Sequence, residues 1–304
     1  MSAFDLQVNG YAGVDFCSLD LTGEQFHHAC AELKKDGVGR ILATVITDTL
    51  DNLESKLSKM VKFREADPLV KEIVAGFHIE GPFMSPEPGY AGAHPPSAMR
   101  KGDIAEAKRL LDACDGLARV VTVAPESDPD CKMIEFLAGQ GVTVSAGHCN
   151  PSLDQLQKAI DHGLSMVTHF GNGCPVDLPR HDNILQRFLA CRESLWFCFI
   201  PDGAHVEFFA LKNYIDLVGL DRTVMVTDAI AAAKMKPGIY ELSGITVEVD
   251  QQGVARRPGS PNLAGSTITM PGVIANLETK LGFSKTEVAR MVEQNPIKAI
   301  GAAA

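Results

Sequence analysis

The sequence lacks any run of Lys or Arg longer than two, any CxxC pair, and any stretch near the ~20 apolar residues that span a bilayer. With a formal net charge of -10, the missing basic runs exclude a nucleic-acid groove or an anionic membrane surface as a partner. An anionic small molecule stays open through a few locally placed cations. Cys17, Cys30, Cys114, Cys131, Cys149, Cys174, Cys191 and Cys198 are scattered through hydrophobic contexts, which points to reduced, mostly buried thiols and away from a cysteine metal or redox centre. The start, MSAFDLQVNG, has no basic segment followed by an apolar one, so a cytoplasmic location is expected. No GxGxxG turn follows the first strand-like run, and no linker or low-complexity segment divides the chain. One domain over 1–304 is expected.

What is present is a recurring pattern. Runs rich in β-branched and aliphatic residues read as strands at 4–9, 40–47, 73–80, 118–126, 142–148, 165–170, 195–203 and 223–229. Amphipathic stretches such as GEQFHHACAELKKDG, NLESKLSKMVKFREAD, DIAEAKRLLDACDG, SLDQLQKAIDHG and HVEFFALKNYIDLVG lie between them, several ending in the Gly that follows a helix C-terminus. ITMPGVIANLETKLG and SKTEVARMVEQNP supply the last helices. Eight strand–helix units in 304 residues predict an α/β fold, a closed (β/α)8 TIM-type barrel, in preference to an open doubly wound sheet. Residues 238–266 read as a β-hairpin insertion before the final helices.

The C-terminal ends of barrel strands surround one mouth, where chemistry gathers. Gln7, Asn9, His78, Glu80, His148, His169, Asp202, His205 and Asp228 fall there or just downstream. His27, His28 and His162 lie instead on expected helices. In GFHIEGP, the i, i+2 spacing puts His78 and Glu80 on one side of a strand, which neither plain packing nor a solvated edge explains. His78 is expected either to orient Glu80 or to bond a backbone carbonyl. Two imidazoles and a carboxylate, with one position open, are a common set for catalytic Zn²⁺, and Glu80, His148 and His169 fit it. A divalent ion there acidifies water to a pKa near ~7, and Asp228 is the natural proton acceptor and later donor.

Taken together, FDLQVNGYAGVDF, GFHIEGPF with GAHP, VTVAPE, SAGHCN, THFGNGCP, IPDGAHV, MVTDAIAAA and LAGST resemble the successive motifs of N-acetylglucosamine-6-phosphate deacetylases, members of the metal-dependent amidohydrolase superfamily. The likeness covers roughly residues 4 to 300. It implies hydrolysis of N-acetylglucosamine 6-phosphate to glucosamine 6-phosphate and acetate, with Glu80, His148 and His169 as metal ligands and Asp228 as the catalytic acid/base. It further implies His94 near the reacting amide, and Asn172, Gly173 and His205 as substrate-binding positions. Arg180 would reach the sugar phosphate of a neighbouring subunit, making the site depend on a homodimer. Gln7 and Asn9 stand where many amidohydrolases carry an HxH pair for a second metal. Neutral amides bind zinc poorly, so one divalent ion per site is implied, with Zn²⁺ first and Fe²⁺, Co²⁺ or Mn²⁺ also suited.

Two departures stand beside the likeness. The family's flanking strands, which build a small β-sandwich, are missing from this chain, and FGNGCP differs from the family's usual NAM-type segment in a way that bears on how the sugar is held. The alternatives are a deacetylase for a related substrate, such as N-acetylgalactosamine 6-phosphate or an unphosphorylated N-acetyl amino sugar, and a sugar-phosphate-binding barrel without turnover.

Overall fold

Strands that bury both faces require cover on both, and the hydrophobic runs receive it. In a computed structural model that describes residues 2–259 and 262–301, they form an eight-stranded parallel sheet in chain order. The strands are β1 Ala3–Val8, β2 Val38–Ile46, β3 Val74–Glu80, β4 Ala118–Val123, β5 Thr143–Ala146, β6 Leu164–Val167, β7 Trp196–Phe199 and β8 Thr223–Met225. A parallel bridge between Val8 and Ala229 closes the sheet on itself. This is the expected (β/α)8 barrel.

The helices start where the sequence supplies caps. Thr22 with Gln25, Ser152 with Gln155 and Ser284 with Glu287 form capping boxes, each satisfying otherwise unpaired N–H groups at its helix start. The helices are α1 Gly23–Lys35, α2 Leu50–Ala66, α3 Pro68–Ile73, α4 Ile104–Ala113, α5 Lys132–Gly139, α6 Leu153–Asp161, α7 Ile184–Ala190, α8 Phe208–Val218, α9 Met270–Thr279, α10 Lys285–Ala289 and α11 Asn295–Ala299. A helix was expected after every strand; α3, α5 and α7 are short and fall outside the amphipathic stretches quoted above. His27 and His28 lie on α1, and His162 caps the end of α6.

The main core packs the sheet against these helices. A second cluster, including Phe4, Leu6, Leu42, Val120, Met166 and Val226, fills the barrel with Ala299 and Ile300. Thr143, at the start of β5, donates to the Ala299 carbonyl at 3.3 Å, so α11 lies at the strands' N-terminal ends. The opposite mouth is left for polar side chains. The expected insertion is present as β9 Gly238–Leu242 and β10 Ile245–Val249, with a short third strand, β11 Ala255–Arg256; residues 260 and 261 of the stretch lie outside the described residues.

Candidate active site

Several strands end earlier than the hydrophobic pattern predicts. Among the residues that overrun the ladder are His148, His169 and Asp228, with φ of 51°, 31° and 50°. Side chains other than Gly rarely adopt that region, and such strain persists only where surrounding structure holds it, commonly at functional sites. Gly92 lies against His148, where an added Cβ would come within 2.8 Å of Cε1.

His148 and His169 converge with Glu80, the last residue of β3. Glu80 Oε1 lies 2.9 Å from His169 Nε2 and 3.3 Å from His148 Nε2, and the two Nε2 atoms are 3.1 Å apart. All three side chains are buried. His148 Nδ1 is 2.7 Å from the Tyr90 carbonyl, which can only accept, so its proton sits on Nδ1 and Nε2 presents a lone pair inward. The donor set thus points electron pairs at one spot, the arrangement that a divalent cation resolves. Burial alone would raise the Glu80 carboxyl, but contacts with His148, His169 and His94 outweigh it and hold it well below the ordinary range.

The two amides at the end of β1 both face this mouth. Gln7 Nε2 donates to Glu80 Oε2 at 3.0 Å, and Asn9 Nδ2 donates to Asp228 Oδ1 at 2.7 Å. Burial, then the charge of Glu80, pushes Asp228 up to about 8. His94 Nδ1 receives the Thr47 N–H at 3.3 Å, leaving its ring proton on Nε2, 3.7 Å from Glu80 Oε1. Burial and then His148 lower His94 to about 4, so the ring is neutral. A neutral N–H aimed into the site can steady developing negative charge. The Thr47 contact was not anticipated; the residue merely ends a strand-like run.

His78 does not orient Glu80. Its Nδ1 bonds the Leu6 carbonyl at 3.0 Å and its Nε2 the Thr122 hydroxyl at 2.7 Å. Thr122 continues to Thr168 at 2.7 Å and Thr168 to Ser145 at 2.6 Å, giving a polar layer beneath the site. Of the two expected readings, the carbonyl bond is the one observed.

A cleft of about 390 Å³ opens above, lined by Asn9, Glu80, His94, His148, His169, Asn172, Gly173, His205 and Asp228. His205 Nδ1 lies 2.7 Å from Asp202 Oδ2, which leaves Nε2 for a ligand. Asn172 is fixed by bonds from its N–H and its Nδ2 to the His169 carbonyl, at 3.1 and 3.2 Å. Leu242 of β9 and Leu263 add an apolar wall that the hairpin pattern alone did not place at the site. Arg180 is not brought in: it is exposed, outside the cleft lining, and makes no hydrogen bond or ion pair among the described residues.

The chain is 30% identical over 298 residues to the N-acetylgalactosamine-6-phosphate deacetylase of Escherichia coli, covering 98% of this chain and 76% of that protein. The chain belongs to the N-acetylglucosamine-6-phosphate deacetylase family. The N-acetylglucosamine-6-phosphate deacetylase of Bacillus subtilis is 28% identical over 299 residues, 98% of this chain and 74% of its own length. Among solved structures, a mutant of the Mycobacterium smegmatis N-acetyl-D-glucosamine-6-phosphate deacetylase in complex with N-acetyl-D-glucosamine-6-phosphate superposes with a TM-score of 0.90 at 30% identity, covering 100% of this chain and 78% of that one. The Pasteurella multocida enzyme gives 0.88 at 29%, covering 99% and 76%. No family model matches the chain. Among the described residues, no helix is long and apolar enough to cross a membrane.

Proposed function

We propose that this chain is a metal-dependent amidohydrolase that removes the N-acetyl group of N-acetylglucosamine 6-phosphate, releasing glucosamine 6-phosphate and acetate. The observation that carries this reading is the convergence of Glu80, His148 and His169 beside Asp228 and the inward N–H of His94. Glu80, His148 and His169 would hold one divalent cation, Zn²⁺ first by the donor set with Fe²⁺, Co²⁺ or Mn²⁺ also suited, which supplies carbonyl polarisation and an acidified water. Asp228 takes the attacking water's proton and returns it to the leaving amine, which leaves poorly unless protonated. His94 Nε2–H donates to the oxyanion. A pure binder has no use for an open metal position beside a proton shuttle.

Gln7 and Asn9 are neutral amides that turn an N–H toward Glu80 and Asp228, and neutral amides bind zinc poorly, which supports one metal per site. Asn172, Gly173 and His205 meet the sugar phosphate in this reading. The described cleft lining holds no Lys or Arg, while Arg180 stands exposed and unpaired. That supports a homodimer in which Arg180 reaches the phosphate in the neighbouring site. Eight free thiols suit a reducing, cytoplasmic setting.

The galactose epimer is the second reading, favoured by the name of the Escherichia coli relative. The test is acetate release from both phosphorylated epimers and from unphosphorylated N-acetylglucosamine, before and after chelation and metal re-addition. Release that is lost with chelator and restored by metal supports the reading, and the better epimer names the substrate. No release under any metal overturns it.

A further inference from the structure

Asp5 is a carboxylate that the reaction above does not use, only 1% exposed in the middle of β1. A buried charge is costly, and an apolar side chain would suit a strand whose Phe4 and Leu6 pack inside the barrel. Asp5 is instead held by donors. Its Oδ1 accepts the Gln7 N–H at 3.2 Å; the Thr227 N–H reaches both oxygens, at 3.2 and 3.3 Å; and the Thr227 hydroxyl donates to Oδ2 at 2.6 Å.

The reason lies at the seam of the barrel. Pairing of β8 with β7 ends at Met225, and the bridge to β1 is confined to Val8 and Ala229. Between Asp5 and Val8 the register of β1 is irregular. In a regular parallel ladder the Thr227 N–H would be taken by a β1 carbonyl, but here it goes to a side chain. The Thr227 hydroxyl in turn accepts the Ala229 N–H at 3.1 Å. Both neighbours of Asp228 are therefore tied to Asp5, while Asp228 between them holds its left-handed φ.

We infer that Asp5 is a positioning residue for Asp228: by gripping Thr227 in place of a strand carbonyl, it fixes the turn that aims the Asp228 carboxyl into the cleft. This rests on the proton-transfer role given to Asp228 above. The test is steady-state acetate release by the metal-loaded full chain with Asp5→Asn, Thr227→Val, the double variant and Asp228→Asn, alongside metal analysis. Misaiming a reacting group costs rate, so each single variant should lower kcat about tenfold or more, with KM within about twofold and metal content unchanged. Because both substitutions weaken the same Asp5–Thr227 linkage, the double should be no worse than the worse single. Singles with kcat near wild type, losses that multiply in the double, or a loss falling on KM or metal content would overturn the inference. Should Asp5→Asn fail to fold, Thr227→Val decides by the same split of kcat from KM. Full turnover by Asp228→Asn would remove the shuttle itself and this inference with it, whereas an inactive Asp228→Asn beside a fully active Asp5→Asn removes only the inference.

Discussion

Asn9 Nδ2 donates to Asp228 Oδ1 at 2.7 Å, and among the described residues that is the one hydrogen bond the carboxyl receives. Asp228 lines the cleft, and no hydrogen bond from a described residue reaches its other oxygen. Asn9 thus favours the deprotonated form against the burial that raises Asp228.

Replacing that carboxyl should stop chemistry and spare the metal. For Asp228→Asn we expect kcat to fall about 10²–10⁴-fold, the range for losing a general acid–base, with metal stoichiometry retained. Acetate release and elemental analysis on one preparation check this. Metal lost together with turnover would instead make Asp228 a ligand.

Gln7 acts on the other carboxylate. Its donation to Glu80 Oε2 leaves Oε1 turned toward His148 and His169. Gln7→Ala should weaken metal binding or activity by about 10–100-fold, as loss of such supporting bonds does. Competition against a chromogenic chelator measures it, and wild-type affinity with wild-type activity would reduce Gln7 to a bystander.

These residues show how far the sequence could be read. Alternation of hydrophobic runs with amphipathic stretches specified the barrel because strand and helix periods differ, and the ionisable groups stood out because they interrupted those runs. The exact strand ends were not legible: His148, His169 and Asp228 extend a strand-like pattern but take left-handed φ, which composition does not encode. The partners of His78 were not legible either. The i, i+2 rule gave the shared side with Glu80, but the bonds to Leu6 and Thr122 depend on which strands become neighbours. Asp5 looked like one polar residue in a strand, since its meaning lies in a contact 222 residues away.

Glu126 sets a pH dependence away from the metal ligands. Burial pushes its carboxyl up to about 7, with the charge of Glu87 adding to the effect and the Asn150 N–H and Arg187 opposing it. Its Oε2 has no partner among the described residues, whereas Oε1 accepts the Asn150 N–H at 2.5 Å. The folded state therefore holds a proton that the unfolded chain releases near the ordinary 4.5, and this contribution to stability is lost as pH rises from there through about 7. Glu126→Gln keeps the acceptor and removes the titration. We expect the variant to gain stability over wild type by about 2–3 kcal/mol between pH 5 and pH 8, because each tenfold move of a titration midpoint in proton concentration is worth ~1.4 kcal/mol. Urea unfolding at both values checks the sign, and a constant difference would refute it.

Arg180 raises the question of where a phosphate finds its countercharge. In the reading above, the cation comes from the neighbouring subunit, because the described lining of the cleft has none of its own and Arg180 lies outside it. Arg180→Ala should then raise KM for the phosphorylated sugar by at least about tenfold, the scale of one charge-assisted contact, and hardly change it for the unphosphorylated sugar. Equal effects on both would take Arg180 out of the phosphate site. A mixing experiment separates a contact in trans from one within the subunit. Arg180→Ala chains keep Asp228, and Asp228→Asn chains keep Arg180, so a mixed dimer assembles one complete site only if the arginine crosses the interface. Random reassembly of equal amounts should recover about a quarter of wild-type activity per chain at subsaturating substrate, since half of two-fold dimers are mixed and each has one good site. Recovery no greater than the average of the two parents would mean that each subunit relies on its own residues, and the phosphate would have to be held by His205, Asn172 and Gly173 alone.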